Sequence, residues 1–184
     1  MLYSYIKYSK DIYKRLKQLM QKIIRVDEEN DAIIRNLSAD CYVLNAALDE
    51  DFCLRFAAAA MTMDKVFLFY GDNAVAACQE YEADGVLVDL GTENLRTQVF
   101  EIRKKLGKDK YVGLITRNRR HESMLVSEAE PDFVVFKVWR EGFGQVKELI
   151  DWYQEFFLIQ SAAWVMDDDV PITDLNTDFV VVKA

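Results

Sequence analysis

The chain is poor in the residues that interrupt or staple a fold. It has 2 Pro and 7 Gly in 184 residues, which leaves little room for long flexible linkers. Its 3 cysteines, Cys41, Cys53 and Cys78, are odd in number and have no CxxC spacing, so neither a disulfide framework nor a cysteine zinc site is expected. The single histidine, His121, argues further against a zinc centre. No apolar run approaches the roughly 20 residues that span a bilayer. The N-terminus lacks the apolar stretch of a signal peptide, and the cysteines read as reduced thiols of a cytoplasmic protein. What is present is ordinary globular composition, 51% hydrophobic and 29% charged, at the length of one domain.

A net charge of −8 argues against nucleic acid as the main partner, because binding to phosphates is driven by Lys and Arg. The charge is unevenly spread. Residues 1–26 hold Lys7, Lys10, Lys14, Arg15, Lys17, Lys22 and Arg25 against Asp11 alone, so the remainder carries −14. Ile12, Leu16, Leu19 and Ile23 recur at helical spacing through this basic stretch. They predict a basic helix that packs on the acidic body, with a homodimer contact as the alternative and no membrane partner expected.

From about residue 40 the sequence alternates. Short β-rich runs at 41–48, 65–70, 85–90, 111–116, 132–138, 157–165 and 178–183 are separated by helical patterns at 49–61, 73–82, 92–106, 118–128 and 142–155. In the 92–106 segment Leu95, Val99, Ile102 and Leu106 mark one apolar face. Strands apolar on both faces, alternating with helices, demand a parallel sheet covered by helices. The expected fold is an α/β, TIM-type (β/α) barrel over residues 39–184, preceded by a helical extension at 1–38. Seven strands are counted, and MLYSYI at 2–7 is the candidate eighth, followed by helices near 9–26 and 30–37; otherwise the barrel is incomplete.

Four of the strands open with an aspartate and carry a polar residue five positions later: Asp40 and Asn45, Asp84 and Asp89, Asp132 and Lys137, Asp178 and Lys183. They recur every two β/α units. Alternate strands of a barrel supply one interior layer of four side chains, so Asn45, Asp89, Lys137 and Lys183 are expected to face one another near the C-terminal strand ends. Such a layer can hold an anionic ligand or present a lysine for Schiff-base chemistry, and its bland alternative is internal salt bridging. Lys137, Lys183 and Asp89 are therefore the candidate catalytic residues. Asp167-Asp168-Asp169 after the 157–165 strand reads as a solvated helix start or a cation site. Trp139 and Trp164 read as stacking groups or as core.

The order of segments resembles the thiamine phosphate synthase/TenI family, in a divergent, catalytically degenerate TenI-like branch. VFLFYGDNAVAACQEYEADGVLVDLGTENL is similar to the family's third strand, helix and fourth strand, and KKLGKDKYVGLITRN to the stretch leading into the fifth. RHESMLVSEAEPDFVVFK, IDWYQEFFLIQSAAWV and TDFVVVKA follow in the family's order. YVLNAALDEDFCLRFAAAA resembles the first strand and helix, which implies one β/α unit lost before residue 65. The resemblance implies an enzyme that joins a pyrimidine diphosphate to a thiazole phosphate with Mg²⁺, binding small phosphorylated ligands. Most of the grip that this chemistry needs is missing. The Gln-x-Arg-x-Lys strand has no counterpart. Gly71-Asp72 stands for Asn-Asp, leaving Asp72 as the one candidate metal ligand. Asp89 replaces the histidine of His-Leu-Gly-Gln-x-Asp, and Asn94 replaces its carboxylate. Ile115-Thr116-Arg117 stands for Ser-Thr-His, Trp139-Arg140-Glu141-Gly142 for a threonine-rich loop, and Ala162-Ala163 for the paired glycines. Asn45, Asp72, Asn94, Thr116, Arg117 and Trp139 are the ligand-binding positions carried over. Two expectations stand: a thiamine phosphate synthase-like barrel protein of thiamine metabolism that has lost the transferase reaction, or a non-catalytic pseudoenzyme acting through a partner or homodimer.

Overall fold

The computed structural model describes residues 21–184. Eight parallel strands close into a barrel in strict chain order, each hydrogen-bonded to the next and the last to the first. They are β1 (Gln21–Val26), β2 (Cys41–Asn45), β3 (Val66–Tyr70), β4 (Gly85–Val88), β5 (Tyr111–Thr116), β6 (Phe133–Val138), β7 (Gln160–Val165) and β8 (Phe179–Lys183). The helices are α1 (Asp31–Arg35), α2 (Glu50–Thr62), α3 (Ala74–Glu80), α4 (Leu95–Leu106), α5 (Arg120–Glu128) and α6 (Phe143–Phe156). A short 3₁₀ turn (Ile172–Asp174) connects β7 to β8. The architecture is the TIM-type barrel that the alternating pattern predicts.

The eighth strand is not where the sequence placed it. Residues 21–26, expected at the end of the basic helix, form β1 and pair with β2 and β8. Ile23, Ile24 and Val26 are β-branched and stiff at χ1, which suits a pleated wall better than a helix. The barrel therefore takes in residues 21–26, ahead of residue 39, and Ile23 belongs to its interior rather than to a helical stripe. The segment around Val66–Tyr70 is the third strand with two before it, so no β/α unit has been lost. The candidate strand at 2–7 and the helix over 9–20 lie outside the described residues.

Two apolar layers hold the barrel. Outward side chains such as Val26, Leu44, Phe67, Phe69, Val86, Leu114, Phe136 and Val180 pack under the helices. Inward side chains, among them Ile23, Val43, Leu68, Leu87, Phe133, Val135, Trp164 and Val181, fill the interior. The lower interior is so full that Gly113 has no room for a methyl group. A Cβ there would stand 2.5 Å from Leu87 Cδ2 and 2.6 Å from the Phe133 ring. The middle of the barrel is a packed core, and the interior opens at the C-terminal strand ends, where its side chains become polar.

The recurring aspartates have a structural role. Asp84 accepts a hydrogen bond from the Phe67 amide at 2.9 Å, Asp132 from the Val112 amide at 2.7 Å, and Asp178 from the Ser161 amide at 2.8 Å. In each case a carboxylate before an even strand satisfies an amide in the first two residues of the preceding odd strand. Asp40 departs from this pattern and meets Lys65 Nζ at 3.1 Å in solvent. The aspartate repeat thus fixes strand starts, while the polar residues five positions on fall at the other end of the strands.

Candidate functional site

The C-terminal strand ends surround a cavity of about 870 Å³. Its wall and floor are built from Arg25 of β1 with Asp27 beyond it, Asn45 of β2, Tyr70 of β3, Lys137 of β6 and Trp164 of β7. Asp72 and Asp89, just past β3 and β4, also line it. A side arm passes Leu90 to Val75 on α3 and Gln98, Glu101 and Lys105 on α4.

Among the described residues Arg25 is the most deeply placed cation, with its side chain only 10% exposed. Its charge is answered from within, because Nε lies 2.8 Å from Asp27 Oδ2. The guanidinium also sits 5.5 Å from the centre of the Trp164 ring, a cation–π distance. Tyr70 meets Trp164 edge-on at 4.9 Å and donates a short hydrogen bond to Asp27 Oδ1. Burial, then the hydrogen bond to Asp27 and that carboxylate's charge, hold the Tyr70 hydroxyl well above its ordinary pKa, so it stays a proton donor. Arg25, Asp27, Tyr70 and Trp164 form a closed, charge-balanced floor.

Lys137 is different. It is half-buried and lines the cavity, and its ammonium has no carboxylate within ion-pair distance among the described residues. Its backbone carbonyl is fixed by the Asn118 amide group. Asp89 accepts only a long hydrogen bond from the Gly91 amide, at 3.4 Å, and Asp72 likewise lies in no ion pair among the described residues. One cation and two carboxylates therefore face the opening unanswered.

The predicted layer is brought together in part. Asn45, Asp89 and Lys137 line the cavity, as does Asp72, but Lys183 does not. At the end of β8 its Nζ turns to Glu28 Oε1 at 3.0 Å, in a side cavity of about 170 Å³. The acidic run after β1 is the nearest counter-charge, because Lys183 pairs in register with Arg25. Four carried-over positions stand outside the cavity. Asn94 is an exposed left-handed residue at the start of α4. Thr116 is buried under α5, with its hydroxyl 3.4 Å from that of Ser123, because its neighbour Ile115 takes the inward position. Arg117 is exposed, and its backbone amide donates to Glu122. Trp139 is a surface residue, 40% exposed.

Sequence reasoning missed Arg25, Asp27 and Tyr70. A signal existed: Ile23-Ile24-Arg25 repeats the two-apolar-then-basic pattern of Val135-Phe136-Lys137 and Val181-Val182-Lys183. The Asp167–Asp169 run opens no helix; Asp167 accepts the Arg140 amide at 2.7 Å and Asp169 lies 3.8 Å from the same residue's guanidinium, tying two rim loops together.

The donor set does not fit the Mg²⁺ that the resemblance implies. Asp72 faces the cavity without Asn94, and no cluster of three His, Cys, Asp or Glu groups among the described residues is placed to hold a metal ion. No cysteine, serine, threonine or histidine lines the cavity among the described residues. Cys53 and Cys78 are buried elsewhere, with burial pushing their thiols up to about 11, and His121 is exposed on α5. No helix among the described residues is long and apolar enough to cross a membrane.

No protein-family model matches the chain. Over 127 residues it is 26% identical to a thiamine-phosphate synthase from Erythrobacter litoralis; the match takes in 63% of this chain and spans 58% of that protein's length. Among solved structures it is similar to tryptophan synthase from Pyrococcus furiosus (TM-score 0.69, 10% identity, 89% of this chain and 86% of that one). It is also similar to KGPDC from Streptococcus mutans (TM-score 0.63, 9% identity, 90% of this chain and 88% of that one). At such identities the structural likenesses show the barrel fold alone, and the sequence match supports a resemblance to the thiamine-phosphate synthase barrel.

Proposed function

We propose that this chain is a thiamine phosphate synthase-like barrel that binds a small oxyanion-bearing ligand, phosphorylated as the resemblance implies, at its C-terminal mouth without carrying out the parent condensation. The observation that carries the reading is the open cavity with Lys137 unanswered in its wall. A barrel retained only as a docking body has no need of an open mouth, and an ammonium in its wall with no partner among the described residues is available to meet an external anion. Loss of the parent reaction is supported by the same cavity. Thr116 and Arg117, at the positions of the family's Ser-Thr-His, are outside it, and Ala162-Ala163 replace glycines where the backbone must close on a phosphate. Removing a single preorganised donor of this kind costs an enzyme about 3–4 kcal/mol of transition-state stabilisation, so losing several abolishes the step. The test is isothermal titration of the protein with thiazole phosphate and with pyrophosphate, repeated on Lys137→Met. Saturable heat that disappears in the variant supports the reading; no binding by the folded wild-type protein would overturn it and favour the interaction-protein alternative.

A further inference from the structure

The charges around the mouth specify more than an oxyanion. Arg25 and Asp27 cancel each other at 2.8 Å, which removes both from the count. Of the charged groups left at the strand ends, Lys137 is a cation while Asp72 and Asp89 are anions, and none of the three has an ion-pair partner among the described residues. A ligand that is only anionic would satisfy Lys137 and bind, but more weakly, because two carboxylates would face its negative charge. A ligand that also carries an ammonium group would satisfy both sides.

We infer that the ligand of this cavity is a small zwitterion whose oxyanion meets Lys137 and whose ammonium meets Asp89, with Asp72 beside it. The inference rests on the ligand-binding reading above and names the chemical class of what is bound. The spacing suits it. β4 and β6 are separated by one strand, and in register Lys137 lies two residues beyond the level of Asp89, so their Cα positions stand about 12 Å apart along the wall. Both side chains extend inward from there, leaving a gap for a molecule whose opposite charges are a few bonds apart. Leu90, Ile115 and Met166 in the lining offer an apolar surface for the ligand's carbon chain. The side arm toward α4 repeats both signs in Glu101 and Lys105.

The experiment compares matched pairs that share an oxyanion and differ in the ammonium: aminoethyl phosphate against ethyl phosphate, and β-alanine against propionate. Binding to the full chain is measured by calorimetry and by backbone NMR shifts at Asp89 and Lys137. The amine-bearing member of at least one pair is expected to bind about fivefold more tightly, the effect of one partly solvated ion pair. Which pair responds distinguishes a phosphate from a carboxylate head. Asp89→Asn is expected to erase that preference and to strengthen ethyl phosphate, while Lys137→Met weakens all four ligands. Asp89 is exposed and accepts a single long hydrogen bond, so its replacement leaves the fold intact. Equal affinity within both pairs would overturn the zwitterion while leaving an anion-binding mouth. A preference that survives Asp89→Asn would also overturn it, and no binding of any probe would overturn both readings.

Discussion

The aspartates that open the even strands look alike in sequence and differ in what they touch, so their replacement separates structure from pattern. Asp178 is half-buried and accepts hydrogen bonds from the Ser161 amide at 2.8 Å and from Gln154 Nε2 at 2.9 Å. Ser161 is fully buried, so in Asp178→Ala its N–H is left without the carboxylate and without ready access to water. A hydrogen bond to a charged acceptor is worth about 1.5–3 kcal/mol, and orphaning the donor makes the loss fall near ~2 kcal/mol here. Asp40 meets only Lys65 and is open to solvent, so Asp40→Ala removes an exposed ion pair and nothing else. Urea unfolding followed by far-ultraviolet circular dichroism measures both. With a slope of ~2 kcal/mol per molar, Asp178→Ala lowers the midpoint by about 1 M, while Asp40→Ala leaves it in place. Asp178→Asn, which keeps an acceptor oxygen, retains most of the lost stability. Equal midpoints for the two alanine variants would refute the strand-fixing role.

Other outcomes follow from the same geometry. Gly113→Ala forces a methyl group against Leu87 and Phe133 and costs ~1–3 kcal/mol, whereas Gly144→Ala, on α6 with open space around it, stabilises by about 0.5 kcal/mol; thermal melts compare them. Lys183→Met leaves ligand affinity unchanged, because its ammonium is held by Glu28 outside the cavity, whereas Lys137→Met abolishes saturable binding in the same titration. Burial raises the Cys53 and Cys78 thiols from 9.0 to about 11, so above pH 9 the unfolded chain releases protons that the folded chain keeps. Stability therefore falls between pH 9 and 11, by up to ~1.4 kcal/mol per pH unit for each thiol, and is flat with respect to them below pH 9. Urea midpoints at pH 8, 9.5 and 10.5 check this, and a Cys53→Ala, Cys78→Ala double variant shows a shallower alkaline decline.

The barrel was legible because its strands are apolar on both faces and its helices on one. That contrast follows from burial alone and survives without any rare motif. β1 was hidden because Gln21-Lys22-Ile23-Ile24-Arg25-Val26 continues a basic stretch whose apolar residues fall at helical spacing, so Ile23 satisfies either period. Closure decides between them, since β2 and β8 each need a neighbour. At the site, the aspartate-to-polar repeat on alternate strands pointed to Asn45, Asp89 and Lys137, which line the cavity. It did not place the end of Lys183, whose long side chain reaches whichever carboxylate is nearest, and the Glu28 that holds it is 155 residues away in sequence. Thr116 was carried over from a motif, yet strand parity alone would have turned it outward beside the inward Ile115. Asp27 and Tyr70 had no sequence signature, because their short hydrogen bond joins positions at the ends of β1 and β3 that approach only across the curved wall, over β2.

The most direct test of the central claim is a single incubation of the purified chain with the pyrimidine diphosphate, thiazole phosphate and Mg²⁺, read both for bound ligand and for thiamine phosphate. Saturable binding that depends on Lys137 is expected, with no thiamine phosphate formed. Turnover to thiamine phosphate, or a folded protein that binds neither compound, would contradict it.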